Sequence, residues 1–447
     1  MTGYPFSLRT ILRSACLILI YRQFLATSMD SQNSQTKLAL SNNQFTFDTL
    51  RQVATSSTKG LKNGVNIILS PFNVAQVLSM IMIGAKGETF RQLSDTLHYS
   101  SNFQPIPTPQ NQEGLHKAIA NAAKLHLGAK NRKRNFTLET GYGIYPDKTF
   151  LLNPIFEKNV KRFYRATIRN LNFKSQPKLA EKIINQDVSN ATNGKIKNLL
   201  PPNSLDAFTR MVLIGTIYFK GNWKDKFDPK LTRKIEFKSD DGLSQEVDMM
   251  QGSKDGHYGD FDFSTLMDSS IKHPQPVKVL RLDYVDSNLA MFFVLPKQNG
   301  LDGLIQDLNT AILTKLIEGL RHEKKIRVTI PKFKIDYGIE MKEVLQKLGM
   351  TDIFGNKADL SGISRAESGS SETERLYLSE VYHKAFIEVN EIGSEAAAAT
   401  GAVISLLSVM TPTEFKADRP FLYFIMDLSN SNILFIGTYS KPPQTNA

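Results

Sequence analysis

The chain has 447 residues, 41% hydrophobic and 22% charged, an ordinary soluble composition with enough length for a large core. Lysine and arginine number 55 against 43 acids, a net charge of +12, which favours anionic partners without bearing on the fold. Cys16 is the only cysteine, which excludes a disulfide framework, a cysteine metal site and cysteine catalysis in the body of the chain.

No segment reaches the roughly 18 to 20 uninterrupted apolar residues of a membrane span. Residues 1–28 read as a signal peptide: Arg9 and Arg13 precede the apolar stretch Ser14 to Tyr21, and Ala26-Thr27-Ser28 resembles a cleavage site. Arg22 interrupts that pattern, so a disordered tail or a start at Met29 stays open. Residues 29–42 read as a flexible segment, and 43–447 as a single domain. Asn135-Phe-Thr and Asn190-Ala-Thr are glycosylation sequons that suit a secreted glycoprotein, although a chain this long carries about as many by chance.

From Asn43 to Tyr99 the pattern is helical, broken by the buried-strand run Asn66-Ile-Ile-Leu-Ser70. Pro71 suits a first helical turn, with Ser70 as its N-cap. Ser101 to Gln112 reads as a loop, followed by a basic helix, a strand near Phe136 to Tyr145, and helices to about Asn193. Beyond Arg210 the runs Met211–Phe219, Leu289–Leu295, Lys325–Ile330 and Ile433–Gly437 are β-branched and aromatic, and predict strands. Helices first and strands later indicate an α+β protein with large antiparallel or mixed sheets. No fixed-period repeat is visible. G-x-S-x-G, H-E-x-x-H and the phosphate-loop motif are all absent, and the seven histidines are scattered, so no enzyme, cofactor or metal is expected.

Residues Ala396 to Thr413 carry no charge and follow Glu391-Ile-Gly-Ser-Glu395. Taken alone, this is a buried strand or a helix broken at Gly401. Yet Glu391-Ile-Gly-Ser-Glu-Ala-Ala-Ala-Ala-Thr400 resembles the hinge of an inhibitory serpin, and Phe415-Lys-Ala-Asp-Arg-Pro-Phe421 the strand entry after that family's reactive loop. Asn66-Ile-Ile-Leu-Ser-Pro-Phe72, Asn193-Gly-Lys-Ile196, Phe219-Lys-Gly-Asn-Trp223 and Ile433-Leu-Phe-Ile-Gly437 follow in the family's order. The resemblance covers residues 43 to 442.

The resemblance implies the serpin fold: a large central β-sheet with two further sheets, about eight or nine helices, and an exposed reactive loop at about 391–414. It implies a serine protease inhibitor whose cleaved loop inserts into the central sheet and traps the protease as a covalent acyl-enzyme; the leader adds secretion, and a monomer is expected. The period of a strand puts Ser394, Ala396, Ala398 and Thr400 on one face, and Glu395, Ala397 and Ala399 on the other. The first set is small enough to be buried, and Glu395 stays in water. In serpins the bait bond lies fourteen residues past the hinge glycine, so the resemblance implies Leu407–Ser408, counted from Gly393, with Leu406 as the competing position. Leucine suits the hydrophobic slot of a chymotrypsin-like or elastase-like protease, and a cysteine protease could be trapped in the same way.

Matching residues extend the resemblance. Ser70, Asn185 and His383 correspond to the cluster that controls sheet opening, Trp223 to the aromatic where insertion begins, and Lys332 to the partner of Glu391. In isolation His383 would be a satisfied core histidine. Asp187 departs from the family, which often has an aromatic there, and puts local packing in doubt. Lys117, Lys124, Lys130, Arg132, Lys133 and Arg134 form a stretch with no acid between Glu113 and Glu139. It reads as a solvated helix end or as a glycosaminoglycan site, with nucleic acid or acidic lipid as the remaining anionic partners. The alternative function is a non-inhibitory serpin: a carrier, storage or chaperone protein.

Overall fold

The computed structural model describes residues 33–56, 61, 64–127, 136–265, 270–297, 300–365, 375–391 and 412–442. Helix α1 spans 33–54. Strand β1 (Ile67–Leu69) leads into α2 (Pro71–Met82), α3 (Gly87–Thr96), the single turn α4 (Tyr99–Asn102) and α5 (Glu113–Leu127). Then come β2 (Phe136–Pro146), β3 (Leu151–Leu152), α6 (Pro154–Tyr164), β4 (Thr167–Ile168) and α7 (Pro177–Ala191). The second half is strand-rich: β5 (Met211–Gly221), β6 (Arg233–Lys238), β7 (Ser244–Asp262), β8 (Pro276–Asp283) and β9 (Leu289–Pro296). After α8 (Asp302–Asp307) and α9 (Thr310–Gly319) come β10 (Arg321–Pro331), β11 (Phe333–Glu340) and α10 (Lys342–Lys347). The chain closes with β12 (Ser364–Arg365), β13 (Glu380–Val389), β14 (Glu414–Lys416), β15 (Phe421–Asp427) and β16 (Asn432–Tyr439).

Helices thus precede strands, as the sequence indicates, and each of the four β-branched runs forms a strand. The described residues hold ten α-helical segments, with the single turn α4 among them. The strands form sheets of nine, five and two members. The nine-stranded sheet runs β1-β16-β15-β9-β8-β7-β10-β14, with β6 on β7.

Residues 33–42, expected as a flexible segment, are instead the first turns of α1. Leu38, Ala39, Ser41 and Asn42 are buried, and the Asn42 amide donates to Asn432 Oδ1 at 2.7 Å and to the Ile433 carbonyl at 2.8 Å. The partner strand is β16, far along the chain, so local composition carried no sign of it.

The five-stranded sheet runs β11-β13-β5-β2-β4. Strand β5 is buried along almost its whole length, because both of its faces are covered. Met211, Leu213, Ile217 and Phe219 join the main core, where α2 packs. Val212 and Ile214 face the other way, into a second cluster with Ala180, Ile184 and Val188 of α7. The period of two therefore divides one apolar run between two cores. Helix α2 starts as expected: Ser70 Oγ accepts from the Asn73 amide at 3.3 Å, and Pro71 occupies the first turn.

Candidate functional site

Strands β13 and β5 pair in parallel, from Glu380 opposite Val212 to Glu388 opposite Lys220. Their outer neighbours β11 and β2 are antiparallel to them. Between Glu391 and Glu414 lie 22 residues, 392 to 413, joining the end of β13 to β14 in the other sheet. A strand that turned back after β13 would be antiparallel to β13, and therefore also to β5. Insertion there would exchange one parallel ladder for two antiparallel ones, which are slightly more stable per residue.

The top of that seam is tightly anchored. Lys332 Nζ lies 3.0 Å from Glu391 Oε2, and Thr232 Oγ1 donates to Oε1 at 2.9 Å. The Phe227 amide donates to the Glu391 carbonyl at 2.9 Å. Burial alone would raise the Glu391 pKa; the hydrogen bonds from its own amide, Lys332 and Thr232 outweigh it and hold the carboxyl below the ordinary range. Trp223 is buried, stacks on Tyr284 with ring centroids 4.8 Å apart, and donates from Nε1 to the Asn390 carbonyl at 2.9 Å. Trp223, Lys332 and Glu391 are thus brought together at one end of the seam.

At mid-height His383 of β13 is fully buried. Its Nε2 accepts from the Ser70 amide at 3.0 Å, and its Nδ1 donates to the Gly215 carbonyl at 3.0 Å. Ser70 Oγ donates to the Leu434 carbonyl at 2.6 Å. One imidazole therefore joins β13, β5 and the start of α2. Burial lowers its pKa to about 4, against the opposing effect of the Gly215 carbonyl, so the ring is neutral at pH 7 and both nitrogens are engaged.

Asn185 does not belong to this cluster, which corrects the expectation for it. It lies on α7 and exchanges two hydrogen bonds with Leu200, to its carbonyl at 3.2 Å and from its amide at 2.8 Å. The cause is positional: Ile184 and Val188 face the sheet, so Asn185 is turned toward the segment after the helix. The residues beside Ser70 and His383 are Gly215 and Asn73. Asn73 Nδ2 donates to the Thr216 carbonyl at 3.2 Å. The sequence carried a usable sign, since a lone glycine within a β-branched run marks a close approach of another backbone or side chain.

Asp187, where packing was in doubt, is accommodated by polar contacts. The Tyr145 hydroxyl donates to it at 3.3 Å, and Arg169 lies 3.4 Å away. Lys117 and Lys124 are both exposed on α5, and Lys117 pairs with Glu113 at 2.9 Å. Asn190 is exposed near the end of α7, but Thr192 of the same sequon is buried. Gly393 to Thr400, Leu407, Ser408, Lys130, Arg132, Lys133, Arg134, Asn135 and the leader lie outside the described residues. Among the described residues no helix is long and apolar enough to cross a membrane.

The family model for serpins, serine protease inhibitors, matches residues 40–442. The chain belongs to the serpin family. This serpin is 32% identical to the leukocyte elastase inhibitor of Bos taurus, over 91% of this chain and all of that protein. It is equally 32% identical to ovalbumin-related protein Y of Gallus gallus, over 91% and 99% of the two chains. Among solved structures, uncleaved ovalbumin matches with a TM-score of 0.76 and 27% identity, covering 91% of this chain and all of that one. Native protease nexin-1 with heparin matches with a TM-score of 0.76 and 28% identity, over 90% and all of the respective chains. The family is one of protease inhibitors rather than catalysts, and relatives named as inhibitors stand beside ovalbumin.

Proposed function

We propose that this serpin is a trapping inhibitor of chymotrypsin-like or elastase-like proteases, with Leu407–Ser408 as the bait bond. The observation that carries the reading is the parallel seam between β5 and β13, with the loop segment leaving from the end of β13. The segment that would enter it has the small residues Ser394, Ala396, Ala398 and Thr400 at the alternate positions that become buried. About a dozen new ladder hydrogen bonds at about 1 kcal/mol each, with apolar burial, supply on the order of ten kcal/mol. That is comparable with the stability of a whole domain, so the uncleaved state is metastable.

Incubation with chymotrypsin tests it, read by denaturing electrophoresis and mass spectrometry. An SDS-stable complex and a released peptide beginning at Ser408 are expected; a peptide beginning at Leu407 would move the bait to Leu406. Cleavage with no complex would favour the non-inhibitory carrier, storage or chaperone reading, to which the likeness to ovalbumin lends support.

Two attributes belong to the same reading. A glycosaminoglycan partner is supported by the exposed Lys117 and Lys124 and by the likeness to a protease nexin-1 structure that holds heparin. Heparin should speed inhibition, and K117Q/K124Q should blunt the effect. Secretion rests on residues 1–28, and the mature N-terminus of protein recovered from culture medium tests it.

A further inference from the structure

Strand β10 carries Arg321, Lys324, Lys325 and Arg327 within seven residues, all exposed. On one side it pairs with β7 along its length, and on the other only Arg327 to Thr329 pair with β14. A bulge falls between Glu323 and Ile326, and Lys325 within it has a left-handed backbone, φ 61°. The Lys325 amide donates to Asp255 Oδ1 at 3.2 Å, which helps hold that conformation. A bulge of this kind turns side chains off the regular pleat and is common beside functional sites.

Several carboxylates nearby are engaged by other cations, Asp260 by Lys297, Asp418 by Lys416 and Arg419, and Asp225 by Lys254, while Asp255 on β7 and Glu414 on β14 make no ion pair among the described residues and leave the edge with an excess of positive charge. None of the four makes an ion pair among the described residues, and β10 itself holds a single acid, Glu323. Lysines on an open sheet edge also discourage edge-to-edge pairing, and that alone would account for a solvated edge. The position of this edge adds to that account.

The Arg327 amide donates to the Thr413 carbonyl at 2.8 Å. Ser408 is five residues before Thr413, so the covalent chain keeps the bait bond within about 18 Å of that point. A protease of some 240 residues is roughly 40 Å across. A protease bound at Leu407–Ser408 is therefore large enough, and held close enough, to reach the β10 edge.

We propose that Arg321, Lys324, Lys325 and Arg327 form a docking surface for an acidic face of the trapped protease, so that the serpin selects its target by charge as well as by the bait residue. This rests on the bait reading above. An unpaired cationic edge facing an acidic partner speeds encounter tenfold or more at low salt, and the gain fades as salt rises.

The test compares chymotrypsin with chymotrypsin whose surface lysines are succinylated, against the full chain, R321Q/K324Q/K325Q/R327Q, and a control of equal charge, K148Q/K158Q/R165Q/K357Q. Two quantities are read: the rate of covalent complex formation, and the equilibrium affinity for succinylated chymotrypsin whose nucleophilic serine is alanine. Faster complex formation and tighter binding with the succinylated enzyme are expected, both lost in the β10 variant and kept in the control. Equal losses in the two variants would show a response to net charge alone and overturn the proposal. So would loss of heparin binding in the β10 variant with affinity for the acidic protease intact, since the surface would then take a polyanion. If no covalent complex forms but the β10 variant alone loses affinity, the bait reading fails and the docking surface stands.

Discussion

Asn73 Oδ1 lies 2.5 Å from the point where a Cβ on residue 215 would stand, so asparagine on α2 and glycine on β5 are a fitted pair. The Asn73 amide group is held at the same place by its bond to the Thr216 carbonyl at 3.2 Å, and the site is fully buried, so the side chain has little room to yield.

G215A should therefore destabilise the native state by about 1–3 kcal/mol through overpacking. N73A, which removes one buried hydrogen bond, should cost about 1 kcal/mol. Combined, the two should cost less than their sum by at least about 0.5 kcal/mol, because truncating Asn73 gives the new methyl its space. Urea midpoints of the four proteins measure the coupling. Simple additivity would show that the two side chains do not share the space.

The pH dependence follows from buried imidazoles. His383 has its pKa lowered to about 4 by burial, and His116, buried between Gln112 and Tyr164, to about 3. The unfolded chain takes these protons near pH 6.5. A depressed histidine therefore contributes stability that is full above pH 6.5 and lost as pH falls toward the folded pKa. For each ring the loss is on the order of 2 to 3 kcal/mol between pH 6.5 and 4. Glu391, held below its ordinary value, adds a loss of the same sign below about pH 4.5. Denaturant midpoints between pH 7.5 and 4.5 should fall less steeply in H383Q than in the native sequence; equal slopes would remove His383 as the cause.

Trp223 is the only tryptophan, and its indole donates to the Asn390 carbonyl just before the hinge. On the proposed insertion, entry of the segment after Glu391 between β5 and β13 would disturb Asn390. Cleavage within 396–410 should therefore shift the tryptophan emission, on the same time course as the gain in stability. An emission spectrum that cleavage leaves unchanged would count against insertion beginning at this point.

Severing the clamp at Glu391 should loosen the same end of the seam. Lys332 is 44% exposed while the Glu391 side chain is 8% exposed, so solvent screens much of the pair's attraction. K332M should cost less than about 1 kcal/mol. E391A also removes the acceptor of Thr232 and should cost about 1–3 kcal/mol. Thermal melts of the two variants decide the order, and a larger loss for K332M would reverse the account.

Much of this arrangement was legible in the sequence where the cause is local. Ser70 before Pro71 marks a helix start, and the runs at Met211 and Ile433 could only be strands. The mid-sheet cluster is less legible because its members meet through space. His383 reaches a carbonyl 168 residues away, and the family resemblance points to Asn185 where Gly215 and Asn73 stand. The helix over 33–42 depends on Asn432 and Ile433, at the other end of the chain, which composition cannot indicate. The parallel pairing of β5 with β13 likewise follows from topology and not from either strand's pattern.

The urea midpoint of the intact protein, set against that of protein cleaved once at Leu407–Ser408, decides whether the loop inserts. Insertion of the cleaved loop between β5 and β13 predicts a large upward shift, on the order of ten kcal/mol in stability. A cleaved chain that unfolds at the same or a lower urea concentration would contradict trapping by insertion.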